Sequence, residues 1–167
     1  MTHPPATPSF VLGFGYLSIL FAGAIFGFFY AWICSTMWGL DAAAPNVAVS
    51  AMQAMNASVR NAVFAPGFFG PGPICALTAG LAWFWSRPKA AVLFAAAGVT
   101  YILGGNLLTF VALIPMNEAL ALENPQTQGE AAQIWQAYSG KWQMFNITRT
   151  IACAVSLLLA AMGLRKL

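Results

Sequence analysis

Residues 135–164 read WQAYSGKWQMFNITRTIACAVSLLLAAMGL. From Asn146 to Leu164 the run is long enough, at about 1.5 Å per residue, to cross most of a bilayer core of roughly 30 Å. One cation interrupts it. Arg149 shares its helix face with Trp135, Tyr138, Trp142 and Asn146, because the five recur at steps of three and four residues. A charge at that depth is expensive, so it marks a candidate functional site.

Working outward, three more apolar stretches are long enough to span: Phe10 to Trp38, Ala62 to Trp85 and Ala90 to Pro115. Of all residues 60% are hydrophobic and only 7% charged, against about a quarter charged in a soluble domain. The expected fold class is therefore all-α, an integral membrane four-helix bundle with the second and fourth helices extended beyond the bilayer on one side. The expected organisation is a disordered Pro-rich tail, 1–9, followed by a single four-span domain, 10–167. The first stretch lacks the basic n-region of a cleavable signal peptide and is read as a retained span.

An even number of spans places both termini on one side with the turn at Ser86–Lys89. That side holds Arg87, Lys89, Arg165 and Lys166; the other holds Arg60, Lys141 and Arg149 with all four acids, Asp41, Glu118, Glu123 and Glu130. Four cations against three favour cytoplasmic termini in an inner-membrane-type protein. The net charge of +3 is spread along the chain, which gives no basis for a nucleic-acid partner.

Cys34, Cys75 and Cys153 form no C-x-x-C and read as packing residues. His3, the only histidine, cannot supply a bis-histidine haem, a typical zinc site or a non-haem iron site. Soft Cu(I) ligation by Met52 and Met55 or by Cys34 and Met37 competes with ordinary packing, which is the stronger reading. By elimination the expectation is no metal, no cofactor and a lipid-soluble ligand.

Along the first span, Gly23 and Gly27 form a G-x-x-x-G expected to pack within the bundle. Tyr30, Cys34, Met37 and Asp41 fall on one face, which Asp41 would close at the outer surface. A second helix is expected from Val47 to Phe64, with Gln53, Asn56 and Arg60 in line along it. Pro66, Gly70, Pro71, Gly72 and Pro73 then break the second span, either lining a cavity or fitting the bundle's shape. In the third span Asn106, Phe110, Leu113 and Asn117 share a face, with Pro115 limiting helical continuity.

Counting from the basic ends, Arg149 lies roughly 24 Å above Arg165 and Asn106 roughly 25 Å above Lys89, with Tyr138 and Trp142 about 10 to 16 Å higher than Arg149. The picture is a cup, opening to the outer face or sideways into lipid. Three readings of Arg149 stand: a site residue, a side chain that snorkels outward, or one half of a structural bridge to Asp41 or Glu118. Trp135 is equally an interface anchor or cup wall, whereas Trp142, which shares its face with Asn146 and Arg149, reads more as cup wall.

The segments Tyr30–Leu40, Met52–Asn56 before Arg60-Asn61, Ile114-Pro115-Met116-Asn117, and Trp135-x-x-Tyr138-x-x-x-Trp142-x-x-x-Asn146-x-x-Arg149 resemble the anthrone oxygenase-like membrane proteins. Trp38 stands where members of that family often have proline. The resemblance implies oxidation of a flat polycyclic ketone or phenol by O₂ without metal or flavin. On that reading Arg149 and Arg60 stabilise an enolate, and Asn117 and Asn146 orient substrate oxygens. Tyr138, or an acid at the rim such as Glu118, moves the proton. Trp142, Trp135, Asn106, Asn56, Tyr30 and Trp38 are the binding candidates. The alternative is a non-enzymatic accessory subunit or a binder of a quinone-like ligand. A transporter is disfavoured, because no inverted repeat or pair of intramembrane carboxylates is visible. Partners are thus the bilayer and a hydrophobic small molecule, with a homo-oligomer or membrane complex left open.

Overall fold

The computed structural model describes residues 6–167. His3 and the first five residues of the expected tail lie outside them. The described residues form helices and no strand. We label them α1 (Ser9–Ala42), α2 (Pro45–Ser58), α3 (Phe64–Phe69), α4 (Pro71–Phe84), α5 (Pro88–Ala121) and α6 (Gln128–Leu164). Three of these, α1, α5 and α6, are long and apolar enough to cross a membrane.

α6 runs unbroken for 37 residues. Thr127 starts it: its Oγ1 accepts from Glu130 N at 3.2 Å, while Glu130 Oε2 accepts from Gln126 N at 2.7 Å, a capping arrangement that satisfies amides without helical partners. The buried face includes Trp135, Tyr138, Trp142, Asn146 and Arg149, so the spacing read from the sequence does define one inward stripe.

The expected Val47–Phe64 helix is instead two pieces, and Asn61 supplies the reason. Its Nδ2 donates to Ser58 O at 2.6 Å, and its Oδ1 accepts from Val63 N and Phe64 N, both at 2.9 Å. One side chain thus ends α2 and starts α3. Between α3 and α4 the chain bends at Gly70, where a Cβ would lie 2.5 Å from Pro66 O and 2.7 Å from Phe21. Pro71 and Pro73 bring no N–H to the break. The nearby Phe68 carbonyl accepts from Tyr101 Oη at 2.5 Å and Asn106 Nδ2 at 3.1 Å, so neighbouring α5 satisfies backbone freed at the bend.

α1 and α5 are not regular. Trp32–Thr36 in α1 and Ile102–Leu107 and Thr109–Leu113 in α5 are π-helical, widened turns that shift every later side chain around the axis. In α5, the ring of Pro115 cannot tolerate a regular turn over the carbonyl four residues back. Gly104 allows close approach to α6, since a Cβ there would meet Ala152 Cβ at 2.2 Å.

Three apolar clusters hold the bundle. One gathers small residues of α4, α5 and α6 around Phe94; a middle one holds Ile25, Phe29, Phe68, Tyr101 and Cys153; the third combines Met37, Val49, Met52, Leu113, Trp135, Tyr138 and Trp142. Thr7 donates to the Leu167 carbonyl and accepts from Arg87 Nε at 2.9 Å. The start of α1, the α4–α5 turn and the end of α6 therefore meet at one end. The Gly23–Gly27 pair does not pack as expected: a Cβ at Gly23 just reaches Leu157 at 4.0 Å, and one at Gly27 meets nothing within 4 Å.

Candidate functional site

Between the middle and aromatic clusters lies a cavity of about 440 Å³, within the size range of small-molecule sites. α6 contributes Trp142 and Arg149 to its wall, α5 contributes Thr109, Phe110, Leu113, Ile114 and Asn117, and α2 with the following turn contributes Asn56, Arg60 and Asn61. Aromatic rings make up much of the rest: Phe28, Phe29 and Trp32 from α1, and Phe64, Phe68 and Phe69 from α3, with Met55, Val59, Ala62 and Ala65 between them.

Arg149 is only 6% exposed. Its Nη1 donates to Thr109 Oγ1 at 3.1 Å and its Nη2 to Asn146 Oδ1 at 2.6 Å. The guanidinium carbon stands 3.7 Å from the centroid of the Phe29 ring and 5.9 Å from that of Trp142, so ring faces supply part of the compensation a carboxylate usually gives. Its buried Nε has no partner among the described protein atoms. The expected bridges to Asp41 or Glu118 are not made. Asp41 instead accepts from Trp135 Nε1 at 2.9 Å, Ser139 Oγ at 2.7 Å and Gln143 Nε2 at 2.9 Å. Glu118 pairs with Arg60 at 3.5 Å, the two side chains being 61% and 60% exposed. The one ion pair among the described residues thus sits on the surface, and the buried cation is without an acid.

Asn117 is held by its neighbours in one orientation. Its Oδ1 accepts from Tyr138 Oη at 2.8 Å and Trp142 Nε1 at 3.0 Å. With the oxygen doubly engaged, Nδ2 is the group left to face a ligand. Asn56 Nδ2 donates to Tyr138 Oη at 3.5 Å, so the tyrosine proton is committed to Asn117.

Of the residues expected from sequence, Arg149, Arg60, Asn117, Asn56 and Trp142 converge on the cavity. Asn146 stands behind Arg149 as a brace, its Nδ2 donating to Phe29 O at 3.2 Å. Tyr138 braces Asn117, and its committed hydroxyl does not line the cavity. Trp135 ties α6 to Asp41 at the end of α1. Asn106 serves the Phe68 carbonyl. Tyr30 and Trp38 do not reach the site, being 49% and 67% exposed: Tyr30 lies on the outer face of α1 next to buried Phe29, and the π-helical turn at Trp32–Thr36 turns Met37 inward and leaves Trp38 outside. Trp32 occupies the inward position instead, its ring centroid 5.0 Å from that of Trp142.

Sequence reasoning missed Phe28, Phe29 and Trp32. The aromatic run Phe26–Tyr30 was the available signal, but which of its rings face inward is decided by how α1 docks on the bundle, and the π-helical turn at Trp32–Thr36 decides which residues follow Trp32 inward. Asn61 was quoted beside Arg60 without its double capping role.

Three helices of membrane-crossing length, and an apolar cavity whose wall holds a buried guanidinium with no acid beside it, define an all-α protein of integral-membrane type. The family model described as anthrone oxygenase matches residues 59–159, and the chain belongs to that family. No curated protein and no solved structure gives a match.

Proposed function

We propose that the chain is a membrane-embedded, cofactor-independent oxygenase of a hydrophobic anthrone-like ketone or polycyclic phenol. The observation that carries this reading is the Arg149 guanidinium, buried in the wall of an apolar cavity with no carboxylate beside it. An enolate oxygen would supply the missing negative charge, and a preorganised cation in a low-dielectric site favours the anion over its neutral parent.

In the proposed reaction the central methylene loses a proton and the anion spreads over ring and carbonyl oxygen. O₂ adds at that carbon, forming a C–O bond, and the peroxide takes up a proton. Loss of water, with cleavage of the O–O bond and departure of the second C–H proton, leaves a new C=O. Overall one anthrone and one O₂ give one anthraquinone and one water. Arg149 faces the enolate, Asn117 Nδ2 donates to a second ring oxygen, and Trp142, Trp32 and Phe29 hold the flat rings. Asn146 and Thr109 position Arg149, and Tyr138 positions Asn117. Arg60 stands at the rim with Glu118, the carboxylate suited to receive the first proton through water.

The same proposal includes four crossings of the bilayer. α3 and α4 together, Phe64 to Phe84, cover roughly 30 Å at helical rise and make the fourth span, with α2 and the start of α6 outside the hydrocarbon. The termini then share the cytoplasmic side with Arg87, Lys89, Arg165 and Lys166.

The test is O₂ consumption by purified protein with anthrone, followed with anthraquinone formation. Turnover that disappears in a folded Arg149→Met variant supports the enzyme; tight anthrone binding without O₂ uptake by the parent protein supports a binding protein instead.

A further inference from the structure

Beside the inner cavity lies a second, apolar space of about 650 Å³. Its own walls are Ala24 and Ile25 of α1, Gly67 of α3, and Ser58 and Val63 of the adjoining chain; none of these lines the inner cavity. The two spaces share Phe28, Trp32, Met55, Val59, Asn61 and Phe64, so a single layer of side chains divides them. In that layer the rings of Phe28 and Phe64 stand 4.9 Å apart at 52°.

Three features suit this layer to a doorway. Ala24 and Phe28 lie in the apolar part of α1, which is long enough to span, so the outer space faces hydrocarbon in the four-span arrangement. The crevice is unfilled on its α3 side: a Cβ at Gly67, which lines it, meets nothing within 4 Å. α3 itself is a six-residue piece, bounded by the non-helical segment 59–63 and the bend at Gly70. Small movements at two joints would shift it as a unit.

We infer that the crevice between α1 and α3 is a lateral portal for a flat, uncharged aromatic molecule dissolved in the bilayer. Such a molecule enters between Ala24 and Gly67 and passes into the inner cavity as the Phe28 and Phe64 rings turn aside. The occupant is set by continuity: the crevice leads to the proposed ligand site, on which this inference rests, and its walls favour the neutral parent over the anion. Arg149 then meets the ligand only after it has left the lipid. On the other flank of α3, Phe69 and Phe110 stack at 6.4 Å and 24°; at the rim stands the Arg60–Glu118 pair.

Thiol trapping tests the route without any turnover. In a Cys34→Ser background, reconstituted in phosphatidylcholine vesicles, Leu113→Cys places a reporter in the inner cavity, with Ala65→Cys as a second reporter should the first fail to fold. Both positions line the inner space alone. N-phenylmaleimide delivered from the lipid should label the reporter. Gly67→Leu or Ala24→Phe, each with an unchanged melting temperature, should slow labelling at least tenfold, and Phe28→Ala should hasten it. A charged methanethiosulfonate added to water should label slowly and ignore the plugs. Plugs without effect on the maleimide, charged reagent labelling as fast, or no labelling at all overturns the portal. Labelling reads access and O₂ uptake reads chemistry, so a lost portal and a lost oxygenase are separate results.

Discussion

The two ends of the bundle solve the same packing problem in opposite ways. Around Phe94, alanines 79, 82, 90, 91, 97 and 160 bring the helices close, and a Cβ at Gly163 would already lie 3.0 Å from the Phe94 ring. Polar side chains there are bonded: Ser18 and Thr78 meet at 2.9 Å, and Ser156 donates to Ala97 O at 2.8 Å. Around Arg149 large rings hold the helices apart, two helices are irregular, and a buried cation has no acid. Small residues with satisfied hydroxyls build a clamp; large rings with an unsatisfied charge build a chamber. Stability should therefore be concentrated at the first end and chemistry at the second.

The sharpest way to break that contrast is to damage each end and read both properties. Phe94→Ala should cost about 3–5 kcal/mol, the usual range for emptying a filled aromatic site, measured by unfolding in mixed micelles. Turnover per folded molecule should stay at the parent value. Arg149→Met should do the reverse. Loss of the transition-state donor lowers kcat roughly 10²- to 10³-fold, while stability stays within about 1 kcal/mol of the parent or rises, because an apolar residue replaces a buried ion. An Arg149→Met protein as unstable as Phe94→Ala would make the arginine a structural element and erase the distinction.

Asn117 sits where the two properties meet. Asn117→Leu leaves Tyr138 Oη and Trp142 Nε1 without their acceptor, a loss of about 1–3 kcal/mol for buried donors, and it removes the proposed ligand donor. Asn117→Asp returns the acceptor but not the donor. It should recover most of the stability, yet show a KM for a hydroxyanthrone, which carries the second ring oxygen, raised at least tenfold. If Asp restores both, the amide N–H has no part in binding.

What could be read from the sequence depended on helical regularity. Trp135 to Arg149 were legible as one inward stripe because α6 keeps its period for its whole length. The partners of that stripe were not: that Tyr138 gives its proton to Asn117, or that Asp41 takes Trp135 rather than Arg149, is decided by where α1 and α5 dock. Asn61 was readable in principle, since asparagine is a strong helix cap, but the helical spacing from Val47 to Phe64 around it argues for one continuous helix. In α1 and α5 the π-helical turns shift the register in a way that no count of threes and fours anticipates.

That shift yields the smallest predicted effect. From Phe29 the inward positions run through Trp32 and then, across the widened turn, to Met37 and Leu40. Trp38 falls on the outer surface with nothing of the cavity in its reach. Trp38→Leu should therefore change stability by no more than about 0.5 kcal/mol and leave anthrone oxidation as it is. Its inward counterpart is the control. Trp32→Leu loses a ring pair worth about 0.5–1.5 kcal/mol and opens the wall shared by both cavities, so its KM should rise several-fold. Equal responses from the two tryptophans, read by O₂ uptake and thermal melting of matched samples, would mean that α1 keeps a regular register beyond Ala31 and that Trp38 faces inward after all.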